Sequence, residues 1–407
     1  MLECSVKIAR TLIQTGSQML QILGTRQSSI RFSIRFAQGA GLIAWTALAV
    51  VTIQWIDCSR TPAEEKHQYA LGDKSVSVPA ADEPILEQLS VKKAVDYLEL
   101  GAAAWTKGRK CVSCHTNGAY LTTRPAMIGV LGKPSQEIRE FFVSEMKKLQ
   151  KQDASKLLNG IKPTQIAYIA QGLAEWDLHV NKSISVETKD ALSLLSKVQS
   201  KDGSYGNMNC WPPLESSNYH GATVAAMAMA TAPGYLSSLD DQQRASYEKL
   251  IKYLKQTAPP HDYGRVLLLW TSTRIDGLLS REEQAELVQM IRKHQRPDGG
   301  WSLRTFSAAE SWGGGNRAGK LRGEPEFANP PSDGHQTGLA LIVLLDAGVA
   351  ANDPQVQSGI AWLKKNQRES GRWWTRSLNN DRFHFITYSG TAYPLLALAK
   401  AGALPKP

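Results

Sequence analysis

Cysteine is scarce in this chain: five residues of 407, at Cys4, Cys58, Cys111, Cys114 and Cys210. With a single CxxC pair, no four-cysteine zinc site can be completed, and zinc would have to recruit histidines from far along the chain. Strand-like alternation is almost absent. That argues against a thioredoxin-type redox CxxC, which belongs to a strand-to-helix turn. Clustered arginine and aromatic residues are also missing. The net charge of +10 therefore reads as a solvated surface rather than a nucleic-acid interface.

The one CxxC is followed at once by histidine: Cys111-Val112-Ser113-Cys114-His115. Two thiols three positions apart can add across the two vinyl groups of a porphyrin. The adjacent imidazole then becomes an axial ligand of the iron. The pentapeptide predicts one covalently attached haem c, with Cys111, Cys114 and His115 as its attachment and ligating residues. A redox CxxC, half of a zinc site and a plain disulfide are the alternatives.

Residues 40–56, AGLIAWTALAVVTIQWI, form an uncharged apolar run near the minimum length of a membrane span. Before it stand Lys7, Arg10, Arg26, Arg31 and Arg35 against the single acid Glu3. The positive-inside rule places 1–39 in the cytoplasm and the rest of the chain outside. No Ala-x-Ala pattern follows the run, and Asp57 precedes Cys58 where lipidation needs a small residue. An uncleaved anchor is expected. Residues 57–84, polar and rich in Ala, Pro and acids, read as a tether. Haem is ligated to such motifs outside the cytoplasm, so motif and topology agree.

From residue 85 to 402 the chain repeats itself. Three helix-like stretches end alike, at Gln199–Tyr205 (QSKDGSY), Gln295–Trp301 (QRPDGGW) and Gln367–Trp373 (QRESGRW). Each unit places a glutamine, a glycine able to adopt positive φ and an aromatic at a chain reversal. Between the turns, apolar helices such as Gly221–Ala228 and Thr337–Leu345 alternate with amphipathic ones such as Arg281–His294. Buried and amphipathic helices in alternation need repetition to close a core.

These turns resemble the Gln-Trp repeats of the squalene and oxidosqualene cyclases and the related protein prenyltransferases. The resemblance covers residues 85–402 and implies an all-α fold, an α/α toroid with an inner ring of helices inside an outer ring. It places the chemistry at the N-terminal ends of the inner helices. There, hopene-type cyclases protonate an alkene with an Asp-x-Asp-Asp-Thr segment. The segment similar to it here is Asp333-Gly334-His335-Gln336-Thr337, which keeps Asp333 and Thr337 but has His335 and Gln336 at the central acidic positions. A histidine is far too weak an acid to protonate an isolated alkene. Asp240-Asp241 precedes an outer-type helix and reads as an N-cap. Asp333-x-His335 and His384 faintly resemble a prenyltransferase zinc site whose cysteine is missing. Asp333 and His335 remain the weak catalytic candidates.

The second axial ligand is open. Met127 lies twelve residues past His115, with Met146 and His220 as alternatives. His220, His335 and His384 stand at or near inner-helix starts, either lining a cavity or capping locally. Trp211, Trp270, Trp301, Trp312 and Trp373 would give a cavity a π-rich wall for an apolar small molecule. The Gly/Pro-rich stretch 302–334 is either a lid or a surface insertion. The sequence thus predicts a membrane-anchored, extracytoplasmic toroid with one haem c. Redox or electron transfer with a partner protein is the expected function. The rivals are a terpenoid cyclase with a modified acid site and a non-catalytic scaffold holding a disulfide.

Overall fold

The computed structural model describes residues 68–206, 211–214 and 217–404. The basic segment 1–39 and the apolar run 40–56 lie outside the described residues. Among the described residues, no helix is long and apolar enough to cross a membrane.

Among the described residues, twelve α-helices of seven residues or more build the domain. They are α1 (Val91–Arg109), α2 (Asn117–Thr123), α3 (Gln136–Gln150), α4 (Lys162–Trp176), α5 (Val186–Lys197), α6 (Asn218–Thr231), α7 (Asp241–Gln256), α8 (Asp262–Ser272), α9 (Arg281–Lys293), α10 (Gly334–Asp346), α11 (Pro354–Lys365) and α12 (Ile386–Lys400). Odd and even members differ as the hydrophobic pattern requires. In α9 (REEQAELVQMIRK) only Ile291 is fully buried, whereas α10 (GHQTGLALIVLLD) is buried from Gly334 to Leu344. A helix apolar all round can sit only inside. The even helices pack in sequence, α2 on α4, then α6, α8, α10 and α12, and α12 returns to α2. They form a closed inner ring. The odd helices cover its outside, each against one or two inner neighbours.

The three glutamine turns stitch this double ring. Gln199 Nε2 donates to Gly203 O (3.2 Å) and Ser246 O (2.9 Å). Gln295 Nε2 donates to Gly299 O and Gln355 O, both at 2.8 Å. Gln367 Nε2 donates to Gly371 O (2.8 Å) and Ser90 O (2.9 Å). Each glutamine thus closes its own turn and holds the next outer helix. The glycines have φ of +97°, +91° and +95°, and a Cβ on any of them would press on that helix's backbone. Both conditions demand glycine. Trp301 and Trp373 turn back and donate their indole N–H to Ile291 O and Leu363 O, both at 2.8 Å.

Two expectations change here. Residues 68–84 are no free tether: β1 (Tyr69–Leu71) and β2 (Lys74–Val76) pair antiparallel, and Tyr69 packs edge-on to Trp105 (5.4 Å). Glu83 and the buried Arg372 form a 2.7 Å ion pair, and Arg372 also donates to Ser77 O at 2.9 Å. Polar composition hid this segment because its partners come from the far end of the chain. The insertion 302–334 is likewise packed. Glu324 takes Arg304 and Lys320, both at 2.8 Å, and Arg304 reaches Arg376 O (3.1 Å). Trp312 at its tip is buried against His261 (4.6 Å) and Tyr263 (5.7 Å), a plug over the start of α8.

Candidate functional site

The Cys111–His115 loop joins α1 to α2, and several contacts fix its path. Lys110 leaves α1 in the left-handed region (φ 53°). Trp105 Nε1 donates to Cys111 O at 3.0 Å, and Asn117 Nδ2 donates to the same carbonyl at 3.1 Å. Asn117 Oδ1 accepts from Ser113 N at 2.8 Å. Gly118 lies so close beneath that a Cβ there would come within 2.1 Å of Ser113 O. Cys111 is half-buried and Cys114 buried, and neither is in a disulfide. Burial raises the Cys111 thiol above its ordinary range.

His115 sits in an aromatic slot. Its ring stacks on Phe385 (5.1 Å, 11°) and meets the Trp105 edge at 4.7 Å and 88°. Its Nδ1 is 2.7 Å from Thr116 Oγ1. Burial pushes its pKa down to about 3, so the imidazole is neutral, the form that binds a metal.

Cys111, Cys114 and His115 line one cavity of about 260 Å³. Its other walls are largely apolar: Trp105, Val112, Trp211 to Leu214, Phe385 and Ile386, with Ser377, Asn379 and Asn380 as the polar side. These residues precede or open α2, α6 and α12, which puts the cavity at the N-terminal mouth of the inner ring. Ile161, Trp211 and Phe383 form an exposed apolar rim. Neither Met127, Met146 nor His220 lines this cavity: both methionines are buried elsewhere, and His220 Nε2 pairs with Tyr168 OH at 2.9 Å. Among the described residues, no group of three or more His, Cys, Asp or Glu side chains is placed to hold a metal ion. The faint Asp333, His335 and His384 zinc arrangement is therefore not assembled.

Deeper in the ring, two tyrosine–histidine pairs repeat. Tyr168 of α4 meets His220 of α6, and Tyr263 of α8 meets His335 of α10 (OH to Nε2, 3.1 Å). His335 Nδ1 pairs with Ser389 Oγ at 2.9 Å. Burial drives both histidines down to about 3. The tyrosines escaped the sequence reading because they stand at unlike registers, early in α8 and midway along α4. His384 is also spoken for, its Nδ1 accepting from Ser377 N at 3.0 Å.

Asp333 caps α10. Its carboxylate accepts from Gln336 N (2.9 Å), Leu303 N (2.6 Å) and Thr375 Oγ1 (3.3 Å). Burial outweighs those bonds and pushes its pKa up to about 6. Thr337 Oγ1 accepts from Trp301 N at 2.9 Å, a structural tie to the glutamine turn. The Gln336 amide is buried with no hydrogen-bond partner among the described residues. Asp240 is the expected N-cap, in a capping box with Gln243.

The lumen between His220, Tyr168, Trp270 and Tyr393 is filled to about 20 Å³, room for one water. Trp301 and Trp373 serve the turns and Trp312 the plug, so of the five tryptophans only Trp211 and Trp270 line one of these cavities. A larger cavity, about 560 Å³, opens at the opposite mouth and is rimmed by Glu175, Arg274, Asp346 and Lys400. Its charges are paired: Glu175 with Arg274 (2.6 Å), Asp346 with Lys400 (2.5 Å).

Residues 260–403 match the model of the squalene-hopene cyclase C-terminal domain. Over that stretch the chain is similar to the squalene-hopene cyclases. The match takes in Asp333 to Thr337 and two of the three glutamine turns. No curated protein matches the chain. Among solved structures, the apo type II terpene cyclase MstE from Scytonema is 13% identical, with 77% of this chain and 99% of that one covered at a TM-score of 0.42. A variant of the same cyclase bound to its product merosterolic acid A is 14% identical, covering 71% and 87% at a TM-score of 0.41.

Proposed function

We propose that this protein is a covalent haem c carrier on a squalene-cyclase-like toroid, acting in redox chemistry on the outer side of a membrane. One observation supports it most: Cys111, Cys114 and a neutral His115 face a single apolar cavity at the mouth of the ring. The residues fit the group. Cys111 and Cys114 would hold the porphyrin through two thioether bonds, and His115 would ligate its iron. Bound haem would supply one-electron redox chemistry. The chain's own part is to hold the His115 lone pair unprotonated, fix its ring between Phe385 and Trp105, and exclude water with Val112, Leu214 and Ile386. The 40–56 run as an N-in anchor, and a redox partner at the apolar rim, belong to the same proposal.

A second reading is a terpenoid cyclase with a modified acid site. The match over 260–403 favours it and lends its weight to this reading rather than to haem. Against it stand the neutral His335 and the filled lumen.

The deciding experiment is a pyridine haemochrome spectrum on protein made with haem-ligation machinery. One haem per chain that survives acid-acetone extraction, and is lost when both cysteines become alanine, is expected. Freely extracted haem, or none, would overturn the haem proposal and leave the cyclase reading standing.

A further inference from the structure

Resting on that haem reading, we propose that Thr116 sets the tautomer of His115 and that Phe385 sets its ring plane. A ligating imidazole offers one nitrogen to the metal, and the hydrogen bond made by the other nitrogen decides which one. Here Nδ1 is engaged by Thr116 Oγ1 at 2.7 Å. Thr116 is buried, and its backbone N–H is tied to Ser113 Oγ at 3.2 Å, which fixes the main chain that carries the hydroxyl. In the proposed haem-bound state iron takes the Nε2 lone pair, so Nδ1 carries the proton and donates to Oγ1.

The ring plane has a separate determinant. Phe385 lies almost parallel to the imidazole (11°), and Phe383 lies parallel to Phe385 in turn (8°, 5.3 Å). Trp105 closes the slot edge-on to both the imidazole and Phe385. Rotation of the imidazole about its Cβ–Cγ bond would drive its edge into one of these faces. Phe385 opens onto α12 and Trp105 belongs to α1, so the ligand's orientation is imposed from two walls of the barrel.

A hydroxyl accepting from Nδ1–H raises the basicity of Nε2 and favours the oxidised iron. Removing it should raise the midpoint potential. The test uses haem-loaded full-length protein as wild type, Thr116→Val, Thr116→Ser and Phe385→Leu, with circular dichroism as the folding control. Thr116→Val should raise the midpoint potential while Thr116→Ser stays at the wild-type value. Phe385→Leu should alter the low-temperature EPR anisotropy, which reports the axial ligand plane. A second arm needs no haem: the ¹⁵N shifts of His115 in the haem-free chain should report the Nδ1–H tautomer in wild type and lose it in Thr116→Val. Wild-type potentials and EPR in Thr116→Val and Phe385→Leu, or an Nε2–H tautomer in the wild-type chain, would overturn the inference. If wild type binds no haem, the haem reading fails, and the nitrogen shifts alone decide the role of Thr116.

Discussion

Gln367 fastens the last glutamine turn to the first helix of the domain. Its Nε2 donates to Ser90 O at 2.9 Å and its Oε1 accepts from Ser90 N at 2.7 Å, across 277 positions of sequence. The ring closes through this side chain, the Arg372 ties to Glu83 and Ser77, and the packing of α12 on α1 and α2. Replacing it with alanine leaves the Ser90 N–H and C=O and the Gly371 carbonyl without that partner. Only the Gly371 carbonyl is fully buried, the Ser90 groups being half-buried, so at about 1–3 kcal/mol for a stranded buried group Gln367→Ala should cost about 1–3 kcal/mol, with a smaller addition from Ser90. Gln295→Ala should cost less, because the structure gives Gln295 two bonds to backbone carbonyls and no accepting bond from a backbone N–H. Urea unfolding of the two variants checks the order.

Gly371 and Gly348 separate two reasons for glycine. Both have positive φ, +95° and +86°. A Cβ at Gly371 would lie 2.3 Å from the Lys93 backbone, while at Gly348 nothing lies within 4 Å. Gly348→Ala should therefore cost only the left-handed strain, about 1 kcal/mol. Gly371→Ala should cost well beyond that, since α1 must shift away from the turn. Thermal unfolding showing equal losses would mean that the turn yields without moving the helix.

The double ring was legible because it rests on local rules: helix periodicity, glycine at positive φ, and a repeated glutamine. His115 and Asp333 stand out in the sequence as candidates because their neighbours carry the signal, and their roles belong to the proposal above. What could not be read comes from pairings across the barrel. Tyr263 meets His335 over 72 positions, and Phe385 reaches His115 from the last helix. The hairpin at 69–76 and the plug at Trp312 were hidden in the same way, by polar or glycine-rich composition whose partners lie elsewhere. The filled lumen depends on side-chain volumes meeting at the axis, which no one helix encodes.

Buried neutral histidines make stability depend on pH in a definite direction. His220 and His335 drop to about 3 in the folded chain, against about 6.5 when unfolded. Between those values the unfolded state binds more protons, so their contribution is complete above about pH 6.5 and is lost as pH falls toward 3. Asp333, raised to about 6 from 3.8, works oppositely: its contribution is complete below 3.8 and is lost as pH rises through 6. Tyr168, Tyr263 and His261 also face these groups, and the tyrosines do not titrate in this range. His115, His261 and His384 are lowered by burial as well, to about 3, 4 and 4, so with five histidines against one aspartate the unfolding free energy should fall from pH 7 to pH 4.5. His335→Gln, which keeps polar atoms beside Tyr263 and Ser389 but cannot titrate, should flatten that fall. An unchanged slope would mean that His335 is protonated in the folded chain.

The acid position gives the sharpest contrast between the two functional readings. Alkene protonation needs a strong acid facing a cavity large enough for a polyene. His335 stands where the resemblance to the cyclases puts that acid, but its ring is neutral, with both nitrogens paired to Tyr263 and Ser389. Asp333, the remaining carboxyl, accepts three hydrogen bonds and lines none of the cavities described above. A carboxyl with a pKa of about 6 is a weaker acid than an ordinary aspartate, the reverse of what the reaction asks. The cavity between Tyr168, His220, Trp270 and Tyr393, at about 20 Å³, has no room for a folded polyprenoid chain. Incubation with squalene or a geranylgeranyl substrate should therefore yield no cyclised product by gas chromatography, in wild type and in Asp333→Asn alike. Cyclised product from wild type that disappears in Asp333→Asn would show that the lumen opens and that Asp333 is the acid, and it would make this protein a cyclase.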